Sequence, residues 1–104
     1  ETDFLLTGDA PEGIESYLAS TVGSTLKSEV LKLGHHGSKT SSSATFLTAV
    51  SPEYAVVSAG RDNSYGHPHT EVVERVGESG AKIVSTAEVG TITMKSDGKV
   101  VWIE

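Results

Sequence analysis

Leu33-Gly34-His35-His36-Gly37-Ser38-Lys39-Thr40 ends an apolar run and opens a loop rich in glycine and serine, with two adjacent histidines between two glycines. The run itself, Val30 to Leu33, alternates around Lys32 and reads as a β-strand. Behind the loop, Ser42 or Ser43 can cap a helix that carries Phe46, Leu47 and Val50. Strand, polar loop and helix follow one another without a break, and the same unit recurs on both sides.

Upstream, Phe4 to Thr7 is a short apolar strand ended by Gly8-Asp9. Pro11 and Glu12 then open a helix, because proline suits the first helical turn and a carboxylate suits the positive helix end. Ile14, Tyr17 and Leu18 share one face and predict a core-facing stripe; Gly23-Ser24 ends that helix. Downstream, Ser51-Pro52 stops the second helix. Tyr54 to Ser58 is a continuous apolar strand, expected to be covered on both faces. Gly60 to His67 is a polar loop containing Arg61, Asp62, Asn63 and Tyr65. His69 or Thr70 caps a helix with Val72, Val73 and Val76 inward, ending at Gly80. Lys82 to Ser85 is a further strand. Thr91 to Lys95 and Val100 to Ile103 form a hairpin about Asp97-Gly98, a strong two-residue turn signal. The order βαβαβαβ with a terminal β-hairpin predicts a layered α/β domain with right-handed crossovers. No repeat, low-complexity tract or linker interrupts it.

At 104 residues the chain holds one domain, which buries a smaller share of its surface than a larger one would. Eight basic residues against fourteen acidic give a net charge of −6. That balance argues against a general binder of phosphate backbones, which needs a basic face. A phosphate substrate would require a metal ion or a local Lys or Arg. There is no cysteine, hence no disulfide and no thiolate metal site, and either redox compartment is compatible. No apolar run approaches the roughly 20 residues of a membrane span, and no signal-peptide pattern opens the chain. A strand entered almost at once suggests a domain cut from a longer chain.

In open α/β sheets, sites form beyond the carboxyl ends of the strands. Asp9, the pair His35 and His36, and the loop ending in His67-Pro68-His69 all fall at such ends. Together they hold all four histidines of the chain. Imidazole and carboxylate suit zinc, manganese or iron. Asp9 reads either as a turn residue before Pro11 or as a carboxylate able to bridge two metal ions. His35 and His36 read either as loop residues capping the next helix or as ligands. Neighbours in extended chain point to opposite sides, so both ligate only if the backbone turns between Gly34 and Gly37. Ser38 and Lys39, before a helix start, read either as ordinary capping residues or as contacts to an anionic substrate. His67 and His69 read either as a turn and helix cap or as a proton donor, substrate contact or ligand.

Phe4-Leu5-Leu6-Thr7-Gly8-Asp9, Val30 to Ser43, Tyr54 to Ser58 and Tyr65-Gly66-His67-Pro68-His69 with Glu71-Val72 together resemble the metallo-β-lactamase superfamily. Within it they resemble the hydrolase-like domain of DNA-internalisation competence proteins of the ComEC type. The likeness runs in order over nearly the whole chain. It implies that Asp9 is the metal-bridging aspartate, that His36 is the last histidine ligand and that His35 is its neighbour. It places His67 and His69 at the site mouth, as substrate or proton contacts. It implies a divalent metal, zinc or manganese, and water activated by it attacking a phosphodiester. It further implies a parent protein of the bacterial inner membrane, with this domain outside the bilayer and single-stranded DNA as its substrate. The family's first ligand cluster, His-x-His-x-Asp-His, precedes the Thr-Gly-Asp strand and is absent here. His67-Pro68-His69-Thr70-Glu71-Val72 does not replace it, since it follows Asp9 in the chain and Val72 stands at its last ligand position. The chain is thus expected to be the C-terminal half of an αββα sandwich, one partial domain over residues 1–104. It should bind metal weakly, be inactive alone, and expose apolar sheet surface toward the rest of its parent chain or a second copy. Two alternatives stand beside this: a non-catalytic module of a DNA-uptake channel that binds DNA or a partner protein, and an esterase of the same superfamily.

Overall fold

The computed structural model describes residues 1–61, 63–64 and 66–104; Asp62 and Tyr65, read above as part of the polar loop, lie outside the described residues. Four parallel strands form the main sheet in chain order: β1 (Phe4–Leu6), β2 (Val30–Lys32), β3 (Tyr54–Val57) and β4 (Lys82–Ser85). Helices α1 (Glu12–Thr21), α2 (Ala44–Val50) and α3 (Thr70–Glu78) form the connections, and a single turn, α4 (Thr86–Val89), follows β4. A separate antiparallel pair, β5 (Met94–Ser96) and β6 (Val101–Ile103), closes the chain around the Asp97-Gly98 turn. The order βαβαβαβ plus hairpin is the one the sequence predicts. Among the described residues α4 and the short turns at Gly23–Leu26 and Gly34–Gly37 were not foreseen.

Strand register sorts the sheet residues onto two faces. Phe4, Val30, Tyr54 and Lys82 lie side by side, as do Leu6, Lys32, Val56 and Val84. Leu31, Ala55 and Val57, on the other face, are buried in the core with Phe46, Leu47 and Val50 of α2 and Val72 and Val76 of α3. The first face is more open: Phe4 is 44% and Leu6 67% exposed. An apolar cleft of about 140 Å³ runs there between Phe4, Leu6, Val30, Val56 and Met94 of the hairpin. β3 alternates between half-buried and buried positions. It is therefore covered well on one face only, not on both as its continuous apolar run suggested.

The helix starts follow their capping chemistry. Ser43 Oγ accepts the Phe46 N–H at 3.2 Å, satisfying a donor at the start of α2. Ser51 ends α2 in the left-handed region. His69 is the N-cap of α3, without a side-chain cap bond.

Helix α1 departs from expectation. Of the predicted inward stripe only Leu18 packs against the core: Ile14 is 50% and Tyr17 64% exposed, while Glu15 is fully buried. The helix is turned so that Glu15, with Leu18 and Ala19 half-buried on the same side, faces the sheet and α2. The reason is hydrogen bonding. The Glu15 carboxylate accepts the Ser42 N–H at 2.6 Å and the Ser43 N–H at 3.0 Å, two donors just before α2 that would otherwise be unmet. Burial raises the Glu15 pKa above its ordinary value, with the two amide bonds acting against that rise. Arg75 of α3 donates to the Ser42 carbonyl at 2.9 Å from the other side.

Glu15→Ala should therefore lower the unfolding free energy by about 2 to 4 kcal/mol, the cost of leaving buried amides without acceptors. Ile14→Ala should change it by less than about 0.5 kcal/mol, as at other exposed positions. Urea denaturation of both variants checks the pair; equal costs would contradict the observed rotation of α1.

Candidate functional site

Each loop at the carboxyl end of the sheet is held by its neighbours. The Gly8-Asp9 turn meets the histidine turn through the His35 N–H, which donates to the Gly8 carbonyl at 2.8 Å. Gly34 is tightly enclosed there: a Cβ at this position would stand 3.1 Å from Thr7 Oγ1 and 3.4 Å from Ser41 Cβ. Thr7 Oγ1 is itself buried with no partner among the described residues.

His35 and His36 both adopt left-handed backbone, with φ of 49° and 54°. For two adjacent non-glycine residues this costs about 1 to 2 kcal/mol each, so the surroundings must hold them there. The backbone thus turns between Gly34 and Gly37, and both imidazoles line one cleft with ring centroids 6.4 Å apart. The third loop locks the turn. The His69 N–H donates to the Gly37 carbonyl at 3.0 Å, and the Lys39 N–H donates to His69 Nδ1 at 2.8 Å. Gly37, at φ 82°, lies so close to Pro68 that a Cβ would come within 2.6 Å of the proline Cβ.

The four histidines consequently form one cluster. The His67 ring is 5.5 Å from His35, 6.3 Å from His36 and 4.9 Å from His69. Asp9, His35, His36 and His67 line a cleft of about 220 Å³. His36 Nδ1 lies 2.6 Å from the Ser58 carbonyl. A carbonyl only accepts, so Nδ1 carries a proton and, in the neutral ring, the lone pair is on Nε2, the arrangement that orients metal-binding histidines. His69 is the reverse case, with Nδ1 accepting an amide and the proton therefore on Nε2. Burial holds the His67 imidazole below its ordinary pKa of 6.5, and His69, His35 and His36 add to the effect as neighbouring charges.

The donor types, imidazole and carboxylate, suit zinc or manganese. Among the described residues no three His, Cys, Asp or Glu side chains are arranged to hold a metal ion. Lys39 is exposed at the rim of the loop. Ser38 is buried, with its hydroxyl against Thr40 Oγ1 at 3.0 Å and the Thr40 N–H at 3.3 Å. The anion in front of α2 is the chain's own Glu15. Sequence reasoning missed that residue, because a wholly buried glutamate is rare. The signal was present in the pairing of Glu15 with a run of serines before a helix.

No family model matches the chain, and no solved structure matches it. It is 50% identical over 88 residues to Competence protein ComA of Neisseria gonorrhoeae. It is 35% identical over 97 residues to ComE operon protein 3 of Bacillus subtilis. With Recombination protein 2 of Haemophilus influenzae it shares 43% over 88 residues. These relatives support a competence-related family. The alignments cover 85%, 93% and 85% of this chain but only 13%, 12% and 11% of the relatives, so the chain spans a small part of the length of those proteins. No helix among the described residues is long and apolar enough to cross a membrane.

Gly37→Ala should destabilise the fold by more than about 1 to 2 kcal/mol, the ordinary penalty for left-handed backbone, because the contact with Pro68 adds to it. The amide spectrum should change at His67 to His69 as well as at the substitution, and a change confined to residue 37 would contradict the locking of the two loops. His67 should titrate below 6.5 when its ring proton is followed by NMR. The unfolded chain protonates first as pH falls, so this group's contribution to stability is complete above 6.5 and is lost as pH drops through the lowered folded value. A midpoint at or above 6.5 would contradict the burial.

Proposed function

We propose that this chain is the C-terminal half of a metallo-β-lactamase-like hydrolase domain within a competence protein, acting on phosphodiesters of single-stranded DNA. In this reading Asp9 and His36 are metal ligands, with His35 beside them. His67 and His69 stand at the mouth, and Lys39 supplies charge toward the substrate. The observation that carries it is the shared cleft of Asp9, His35, His36 and His67. Within it His36 has its Nδ1–H engaged by a backbone carbonyl, and two adjacent histidines are kept in a costly conformation. Zinc or manganese bound there would supply Lewis-acid charge and an acidified water. The chain's own residues orient the imidazole of His36 and favour the neutral form of His67. The rest of the parent chain would complete the ligand set and cover the open sheet face, which a second copy could otherwise occupy. The parent would be an inner-membrane protein with this domain outside the bilayer. The absence of three convergent ligands among the described residues favours one second reading, a non-catalytic module that binds DNA or a partner protein. An esterase of the same superfamily has no separate observation in its favour.

Titration of the ¹⁵N-labelled chain with Zn²⁺ and Mn²⁺ tests the proposal. Saturable shifts or broadening confined to Asp9, His35, His36, His67 and His69 are expected. Asp9→Asn and His36→Gln should each weaken the response by at least about tenfold, on the scale seen when metal sites lose supporting groups. No response at millimolar metal would overturn the half-site and leave the binding module. Metal-dependent phosphodiesterase turnover by the chain alone would overturn its assignment as an incomplete site.

A further inference from the structure

A second cleft, of about 320 Å³, adjoins the histidine cleft and shares His36 and His67 with it. Its other walls are Ser58, Ala59, Gly60, Asn63 and Thr86. We propose that this cleft holds the base of a single-stranded nucleotide and accepts all four bases alike. The proposal rests on the reading of the neighbouring cleft as the place of the phosphodiester.

Three observations carry it. The first is size: the volume lies at the small end of ligand sites, roughly 300 to 1,000 Å³, which suits one nucleoside and not a base pair. The second is charge. The described residues lining it include no Lys, Arg, Asp or Glu, so no permanent cation among them balances a phosphate, whereas an uncharged ring loses little on entering. The third is the state of its polar groups. Thr86 Oγ1 accepts the Ala59 N–H and donates to the Ala59 carbonyl, both at 3.0 Å. Asn63 Nδ2 donates to the Gly60 carbonyl at 2.8 Å and the His67 carbonyl at 2.6 Å, and its Oδ1 accepts the His67 N–H at 2.9 Å. The Ser58 carbonyl is taken by His36.

These groups brace the loop, and the pattern of a base edge has little to meet. A serine hydroxyl such as that of Ser58 turns to donate or to accept, so it reads no edge uniquely. Among the described residues that line the cleft, His36 and His67 contribute flat rings, stacked on one another 20° from parallel with centroids 6.3 Å apart. Stacking on such rings tolerates any base because every base has a π-face.

The test is a titration of the metal-free ¹⁵N-labelled chain with thymidine, deoxyadenosine, deoxycytidine and deoxyguanosine, and separately with inorganic phosphate. All four nucleosides should shift Ala59, Gly60, Asn63 and Thr86, with dissociation constants within roughly threefold of one another, and leave Asp9 unmoved. Phosphate alone should leave these residues unmoved. Gly60→Leu provides a block, since a Cβ at Gly60 meets nothing within 4 Å. The variant should keep its amide spectrum elsewhere, lose the nucleoside shifts and retain the Zn²⁺ response. Absence of saturable nucleoside shifts, a preference of more than about tenfold for one base, or undiminished binding by Gly60→Leu would overturn the base pocket. A missing Zn²⁺ response with nucleoside shifts intact would instead overturn the metal reading and leave the pocket standing.

Discussion

The carboxylate of Glu15, buried and bonded to the amides of Ser42 and Ser43, is the contact on which the arrangement of the site depends. It sets the rotation of α1, because the helix must present Glu15 inward and leave Ile14 and Tyr17 outside. It also fixes the chain just behind the histidine turn, where Ser42 is itself at a φ of 62°. Neighbouring bonds reinforce the same segment: the Glu12 N–H to the Thr40 carbonyl, the Ser41 hydroxyl to the Ala10 carbonyl, and Arg75 to the Ser42 carbonyl. A buried carboxylate is expensive to desolvate, and amide donors are what make such burial tolerable. Because that carboxylate is built in, the start of α2 is already neutralised and does not await an anion from outside.

With its base anchored in this way, the histidine turn can hold a backbone conformation that few residues adopt. The energy to keep His35 and His36 left-handed comes from several directions at once: Gly8 on one side, His69 and the Pro68 contact on the other. The two glycines matter for different reasons. Gly34 leaves room for Thr7 and Ser41, and Gly37 leaves room for Pro68. The outcome is a row of imidazoles with distinct protonation patterns, His36 donating through Nδ1 and His69 accepting there. Chemically similar residues thus take up different tasks, one as a candidate ligand and one as a clamp between loops.

Much of the fold was legible because local signals agreed with one another. Ser43 as a cap, Ser51-Pro52 as a stop, Asp97-Gly98 as a hairpin turn and the valine pattern of α3 all needed no tertiary information, although Val73 is only half-buried. The rotation of α1 was not legible, since apolar periodicity places Ile14 and Tyr17 inside and only a partner elsewhere in the chain explains the reverse. β3 was misjudged for a related reason: its apolar run does not reveal that one face lacks a covering layer in this chain. The loops of the site could be located at strand ends from sequence, but the left-handed pair of histidines could not. Histidine visits that region more often than most residues, yet two in succession arise only from the packing around them.

The locking of the histidine turn also has a bearing on when it can exist. The strands of the main sheet are neighbours in chain order, so each pairing joins segments close in sequence, and the sheet can grow one strand at a time. The turn depends on a contact of much the same span, Lys39 and His69 being 30 positions apart, but its partner segment lies beyond β3. Until the segment before α3 has docked, Gly37 has no amide to receive and Lys39 no ring nitrogen to meet. The histidine turn is thus complete only once the chain beyond β3 has been placed against it.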